Sequence, residues 1–319
     1  MIYTFQLAES AMRKARRKLT TGQTGNVDCV NDIIPVLDTG DLFQVNYGNF
    51  KDSIYQKTIS LVDSSCMIFM HQKTFEVFKR ISEMHVDCSM QFVQKTNVKY
   101  FLISVHFVEG ELTSPVVYAI LTAKTPSSLG AFFEYLSRDL KLTPNLIITN
   151  FDPALHSSLA YAFPESTIKG NWFEFTNSVL KKQKYLDMEK LTSKGLGASG
   201  FKMILMLPLL PPEYMVPGLE AIKKWLKDKD LLNDSFSKLC DFVEHSWFRT
   251  VGSEKISIFG SSKVFINHIR VFNKELIDII ENQNPIIWVI LEAITQLTEK
   301  NFNRIVRKIK ETPKPSKLI

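Results

Sequence analysis

Apolar runs of strand length dominate the first half of this chain, and longer stripes at helical spacing dominate the second. Ser65 to Gln72 (SCMIFMHQ) is apolar from Cys66 to Met70 and predicts a buried strand. Lys99 to Val108 and Pro115 to Thr122 predict two more, joined through Glu109, Gly110 and Glu111 as an antiparallel hairpin. Thr125 and Pro126 then open a helix over Ser127 to Leu140, where Leu129, Phe132, Phe133, Leu136 and Leu140 recur at helical spacing. Leu146, Ile147 and Ile148 form a short apolar run between Pro144 and Asn150, the pattern of a strand covered on both faces. Asp152 and Pro153 read as the cap and first position of a helix whose stripe is Leu155, Leu159, Ala162 and Phe163, stopped by Pro164. A last strand is expected from Thr167 to Phe173. Asn150 thus stands where a buried strand passes into a helix, a usual place for an active-site side chain in an α/β protein.

Downstream the pattern turns helical. Stripes occupy Pro217 to Lys229 (Leu219, Ile222, Trp225, Leu226) and Phe236 to Phe248. Ser262 reads as the cap of a late helix, Val264 to Ile280, with Phe265, Ile269, Phe272, Leu276 and Ile280 as its stripe. Pro285 starts a final helix to about Lys310, whose end carries Arg304, Arg307, Lys308 and Lys310. Upstream, Ala8 to Leu19 predicts a short basic helix with Arg13, Lys14, Arg16, Arg17 and Lys18, followed by a polar linker. Residues 27 to 60 show no clean period beyond a short buried segment at Ile33, Ile34, Val36 and Leu37. The resulting division is a basic helical or irregular segment over 1–60, an α/β core over 61–175 and a helical insertion over 176–245. C-terminal helices over 246–311 complete the core, and a polar tail over 312–319 is expected to be disordered.

Composition narrows the classes. With 319 residues, 45% hydrophobic and 23% charged, the chain suits a globular protein of one elaborated domain or two. A net charge of +6 permits a polyanion partner without demanding one. Cys29, Cys66, Cys88 and Cys240 form no CxxC pair, which argues for a reducing compartment and against a disulfide framework or zinc knuckle. No apolar run approaches the roughly 18 residues of a membrane span, and the N-terminal residues place their basic cluster on the wrong side of the apolar part for a signal peptide. The expectation is an intracellular protein without a membrane partner. His71 stands at a strand end, but no second His or Cys lies at metal-ligand spacing, and His106 reads as a core histidine between Val and Phe. GLGASG (Gly195 to Gly200) matches GxGxxG but follows a polar, helix-like stretch, so no nucleotide cofactor is expected; the lack of Lys after Gly200 also excludes a P-loop.

The segments SPVVYAILTAKT (Ser114 to Thr125), NLIITNFDPAL, FPESTIKGNWFEF and MLPLLPPEYM (Met206 to Met215), taken in order, resemble the transposase domain of Mutator-like elements. The likeness spans about residues 10 to 295. It implies a DDE nuclease on an RNase H-like fold: a mixed five-stranded sheet in the order 3-2-1-4-5, with a helical insertion before a C-terminal helix. It also implies a mobile-element origin, DNA as the partner, a nuclear location, and Mg2+ in an intact relative.

The departures from the family pattern set the functional expectation. The Asp-Gly-Thr-Phe motif ending the family's first strand is matched to Gln72, Lys73, Thr74 and Phe75. The second Asp is matched to Asn150, and the Glu of the late helix to Phe265, three residues before His268. The family's Cys-x-x-His pair is replaced by Asn171 and Glu174. Two-metal phosphoryl transfer needs anionic oxygens to hold two divalent ions about 4 Å apart, and a hard ion such as Mg2+ binds through carboxylates. Gln and Asn supply neutral oxygens and Phe none. The expected protein is a transposase derivative without catalysis, metal or other cofactor, making weak, nonspecific DNA contacts through Arg13, Lys14, Arg16, Arg17, Lys18, Arg304, Arg307 and Lys308. The rivals are a nuclease working through other acids (Asp63, Glu76 or Asp152) and a protein–protein interaction module. The expected geometry sets Gln72 and Asn150 at the ends of neighbouring parallel strands, with Phe265 laid across them.

Overall fold

A computed structural model describes residues 30–38, 43–47, 50–78, 81–94, 97–110, 112–260, 268–281 and 284–311. The basic stretch Arg13 to Lys18, the position Phe265 and the tail after 311 lie outside the described residues. In chain order, α1 (Val30–Asp38) precedes the hairpin of β1 (Gln44–Tyr47) and β2 (Phe50–Ser53). Then come β3 (Tyr55–Ser60), β4 (Ser65–Met70), α2 (Gln72–Val77), β5 (Glu83–Val93), β6 (Lys99–Glu109) and β7 (Leu112–Leu121). Next are α3 (Pro126–Glu134), which a π-helical turn extends to Asp139, β8 (Leu146–Thr149), α4 (Pro153–Ala162) and β9 (Thr167–Gly170). The helical half contains α5 (Trp172–Tyr185), α6 (Gly195–Met206), α7 (Pro212–Asp228), α8 (Asp234–Phe242), a π-helical stretch Val243–Gly252 and α9 (Ser253–Ile256). Two helices close the fold, α10 (His268–Ile280) and α11 (Ile287–Glu311).

β3 to β9 form one mixed sheet in the order β3-β4-β7-β6-β5-β8-β9. β6 and β7 pair as the antiparallel hairpin read from the sequence, while β8 lies parallel to both β5 and β9. Two features depart from the expectation. The sheet has seven strands, and β4 pairs antiparallel with β3 and β7, so β7, β6 and β5 separate it from β8. Gln72 and Asn150 therefore do not end neighbouring parallel strands. The strand beside β8 is β5, in a stretch for which the apolar pattern predicts no element.

Alternation splits each strand between two cores. Cys66, Ile68 and Met70 of β4 join Met84 and Val86 of β5 under α3 and α4, where Phe132, Phe133, Leu155 and Leu159 are fully buried. Burying one such side chain contributes roughly 1.5–3 kcal/mol relative to leaving it in water. Met67 and Phe69 face the other way and meet Phe272, Leu276, Ile290, Leu291 and Ile294 of α10 and α11. Near residues 27–60, Ile33 and Leu37 seat α1 in that second core, while β1, β2 and β3 occupy a span expected to be loop or irregular helix.

The insertion has a core of its own. Phe175, Val179, Phe201, Leu219, Phe236 and Leu239 belong to it, and it continues beyond residue 245 through Trp247, Phe248 and Ile256. The strand expected to reach Phe173 stops at Gly170; Asn171 caps α5, its Oδ1 accepting from the Phe173 amide at 2.9 Å. The glycines of GLGASG lie inside α6, where the Cα of Gly200 sits against Leu226 and Trp225. No described helix is long and apolar enough to cross a membrane.

Candidate functional site

The residues of interest gather where β8 ends beside the middle of β5. Their parallel register runs from Glu83↔Leu146 to Val86↔Thr149, and the Thr149 hydroxyl secures it by donating to the Val86 carbonyl at 2.9 Å. One residue further on, the two strands deliver Asp87 and Asn150 together. β5 also breaks its pairing with β6 between Asp87 and Met90, a bulge at the point where the strand reaches this crevice.

Asp87 is 6% exposed, so its carboxylate needs partners. It accepts from the Ser89 hydroxyl at 2.7 Å and from Nδ2 of Asn273, on α10, at 3.0 Å. Asn150 contributes a neutral amide whose Oδ1 is buried and makes no protein hydrogen bond. Asp152 caps α4, accepting from the Leu155 amide at 3.0 Å, and pairs with Lys124 Nζ at 2.7 Å. Burial alone would raise the Asp152 pKa, but the bonds from Lys124 and the Leu155 amide outweigh it and hold the carboxyl below its ordinary value. Lys124 follows β7 and also donates to the Cys88 carbonyl at 3.4 Å, tying the bulge of β5 to the start of α4. Its own pKa moves the other way: burial opposes the charge, yet Asp152 keeps the ammonium more basic than usual.

Glu174 reaches back from the first turn of α5 and accepts from the Phe151 amide at 2.7 Å. Burial pushes its carboxyl up, the nearby charges of Asp87 and Asp152 add to the rise, and the Phe151 amide only partly offsets it. Phe151 leads away from the crevice into the insertion, edge-on to Trp247 with ring centroids 4.9 Å apart and stacked on His156.

Three carboxylates thus surround the end of β8 and the bulge of β5, each with a different partner: an amide side chain and a hydroxyl, a lysine, and a backbone N–H. Among the described residues no group of three or more His, Cys, Asp or Glu side chains could hold a metal ion.

The other predicted positions lie elsewhere. Gln72 is exposed at the start of α2, its amide 3.3 Å from Glu76 Oε1. His71 is fully buried, bonded through Nδ1 to the Thr74 hydroxyl at 2.8 Å and edge-on to Phe302, with Nε2 3.6 Å from Asp52 Oδ2. Burial lowers its pKa, which suits a core histidine. His106 is also fully buried, edge-on to Phe272, and held well below its ordinary pKa by burial. His268 opens the described part of α10, its ring 6.3 Å from that of His85. Asp63 lies in the turn before β4, where its Oδ1 accepts from the Ser64 hydroxyl at 3.1 Å. Arg304, Arg307 and Lys308 lie exposed on α11.

Asp87, Lys124 and Asn273 are the members of the crevice that the sequence reading did not single out. The signal for Asp87 was available: in Met84-His85-Val86-Asp87-Cys88 the alternate residues Met84, Val86 and Cys88 form an apolar strand face. No signal marked Lys124 or Asn273, because their roles depend on partners 28 and 186 residues away.

No protein-family model matches the chain, and no curated protein matches it.

Proposed function

We propose that this chain derives from a Mutator-like transposase domain on an RNase H-like fold, without phosphoryl-transfer activity and with residual, nonspecific contact to DNA in the nucleus. The observation that carries the proposal is the parallel juxtaposition of β5 and β8, with Asn150 just past the end of β8 and Asp87 beside it at the bulge of β5. Counted from β5, the strands β7-β6-β5-β8-β9 run 3-2-1-4-5, with β4 and β3 added beyond the third. α10 crosses this end and touches Asp87 through Asn273.

In this frame the family's first acid corresponds to Asp87, not Gln72. The run Asp87-Cys88-Ser89-Met90 keeps the leading Asp and the hydroxyl at the third place of the family motif. The argument against catalysis therefore rests on Asn150 and on how the remaining acids are held, not on Gln72. A neutral amide at the second position removes an anionic ligand from a two-ion site. Lys124 supplies a fixed positive charge beside Asp152, where a divalent ion would have to compete with an ammonium at 2.7 Å.

The test is a nicking and strand-joining assay on duplex DNA with Mg2+ or Mn2+. No product above background is expected from the parent chain. Metal-dependent cleavage that Asp87→Ala abolishes and Gln72→Ala leaves intact would overturn the proposal. It would favour the rival of an active nuclease, for which the gathering of Asp87, Asp152 and Glu174 around the end of β8 is the supporting observation.

A further inference from the structure

A second polar feature lies away from the crevice, between α10 and α11. A cleft of about 540 Å3 is lined by Lys300, Arg304, Arg307 and Lys308, with Asn303 among them and Glu275 of α10 opposite. The basic positions recur at steps of three and four, which puts them on one face of α11. The adjoining face carries Ile294, Leu297 and Ile305, all fully buried. The helix is thus fixed by its apolar side and presents a basic row whose backbone cannot shift without unpacking the core.

Two members of that row bond to neighbouring elements. Arg304 donates from Nη2 to the Thr113 carbonyl on β7 at 3.2 Å, and Lys300 pairs with Glu275 at 3.0 Å. Four cations against one carboxylate leave the cleft positive. From residue 300 to residue 308 the helix rises about 12 Å. Phosphate charges of one DNA strand recur about every 3.4 Å along the duplex axis, so a row of this length can meet more than one of them. Every lining side chain is polar or charged, which suits a hydrated polyanion and offers nothing to an acyl chain.

We infer that the α10–α11 cleft is a seat for a phosphodiester backbone, with Arg307 and Lys308 as direct phosphate contacts and Lys300 and Arg304 held in place by Glu275 and the Thr113 carbonyl. In taking the polyanion to be DNA, the inference rests on the function proposed above. Contacts of this kind position the duplex without reading bases, so binding should be insensitive to sequence.

The experiment is a fluorescence-anisotropy titration of a random-sequence duplex over a series of salt concentrations, using the full chain. Arg307→Glu with Lys308→Glu is compared with a control of equal charge change, Lys224→Glu with Lys227→Glu on α7, all four sites being exposed. Circular dichroism and a thermal melt check that both variants fold. The expected result is a fall in affinity on the order of ten-fold at low salt, and a flattening of the log–log salt slope by about two, for the cleft variant alone. Equal loss in both variants would mean that net charge alone is sensed, and would overturn the assignment. So would unchanged affinity and slope in the cleft variant, a result that leaves nonspecific DNA binding standing but locates it elsewhere. A parent chain with no salt-sensitive DNA binding would remove the DNA part of the proposed function as well. Binding to phosphatidylserine vesicles that depends on the cleft charges, with no such dependence for DNA, would also overturn it.

Discussion

β4 and β8 look alike along the chain and behave differently in the fold. Each is a short buried strand that ends in polar residues and passes directly into a helix. Both neighbours of β4 run antiparallel, so its C-terminal end lies beside the starting ends of other strands, and Gln72 turns outward into α2. β8 has a parallel neighbour on each side, so β8 and β9 end together, beside the point where β5 bulges at Asp87. Adjacent parallel strands lie roughly 4.8 Å apart, close enough for the groups at their ends to share partners. Bonded charged groups therefore gather at the end of β8, while Gln72, past the end of β4, lines a separate cavity of about 550 Å3 with Glu76, Lys141 and Asn145. Strand direction, rather than the residue at the strand end, decides which end gathers chemistry.

The largest expected effect tests whether the β8 end is locked against the insertion. A Cβ on Gly170 would lie 1.9 Å from two atoms of the Phe151 ring, which Trp247 and His156 hem in. Gly170→Ala should cost roughly 3 kcal/mol by thermal or chemical denaturation. The cost should shrink markedly in a Phe151→Ala background. An equal cost in both backgrounds would show that Phe151 is not the obstacle.

Next in size is Asp152→Ala, which removes a helix cap and the Lys124 pair together, a loss of about 1.5 kcal/mol at neutral pH. Its pH dependence has a defined sign. The folded carboxyl titrates below the ordinary 3.8, so Asp152 stabilises the fold above that value and loses its contribution as pH falls through the folded value. The difference between parent and variant should accordingly vanish in acid. A constant difference across that range would remove the ionised cap from the account.

Glu174 should behave in the opposite sense and more weakly. Its folded pKa lies above the ordinary 4.5, so its contribution is fully present below that value and is lost as pH rises through the folded value. Glu174→Gln retains an oxygen for the Phe151 amide and removes the charge. It should stabilise slightly at neutral pH and not below pH 4.5; a loss of stability at neutral pH would contradict the crowding of its charge by Asp87 and Asp152. The smallest effect sharpens the contrast between the two strand ends. Gln72→Ala removes only an exposed amide and a contact to Glu76, and should change stability by less than about 0.5 kcal/mol. Matching losses from Gln72→Ala and Asp152→Ala would erase the distinction.

Much of the architecture was legible along the chain because the physics behind it is local. The hairpin of β6 and β7, the caps at Thr125 and Asp152, the stripe of α3 and the buried run of β8 each depend on spacing within about a dozen residues. β5 was not legible in the same way. A half-polar strand is ordinarily half solvated, yet His85 and Asp87 are each 6% exposed because the second face of this sheet is covered by α10. Polar residues on a covered face look like surface until their partners are known.

The sequence by itself determined which segments become strands and helices over most of the core, and that a neutral Asn stands at the end of β8. It also determined that α11 pairs an apolar stripe with a basic one, since both faces follow from residue spacing. Only the tertiary structure decided which strands are neighbours. That choice moved the partner of Asn150 from Gln72 to Asp87 and brought Lys124 and Asn273 into the crevice. The physical reason is that strand pairing uses the same backbone donors and acceptors in every strand, so pairing order is set by how the faces pack and how the connections run. Local patterns carry the first kind of information strongly and the second hardly at all.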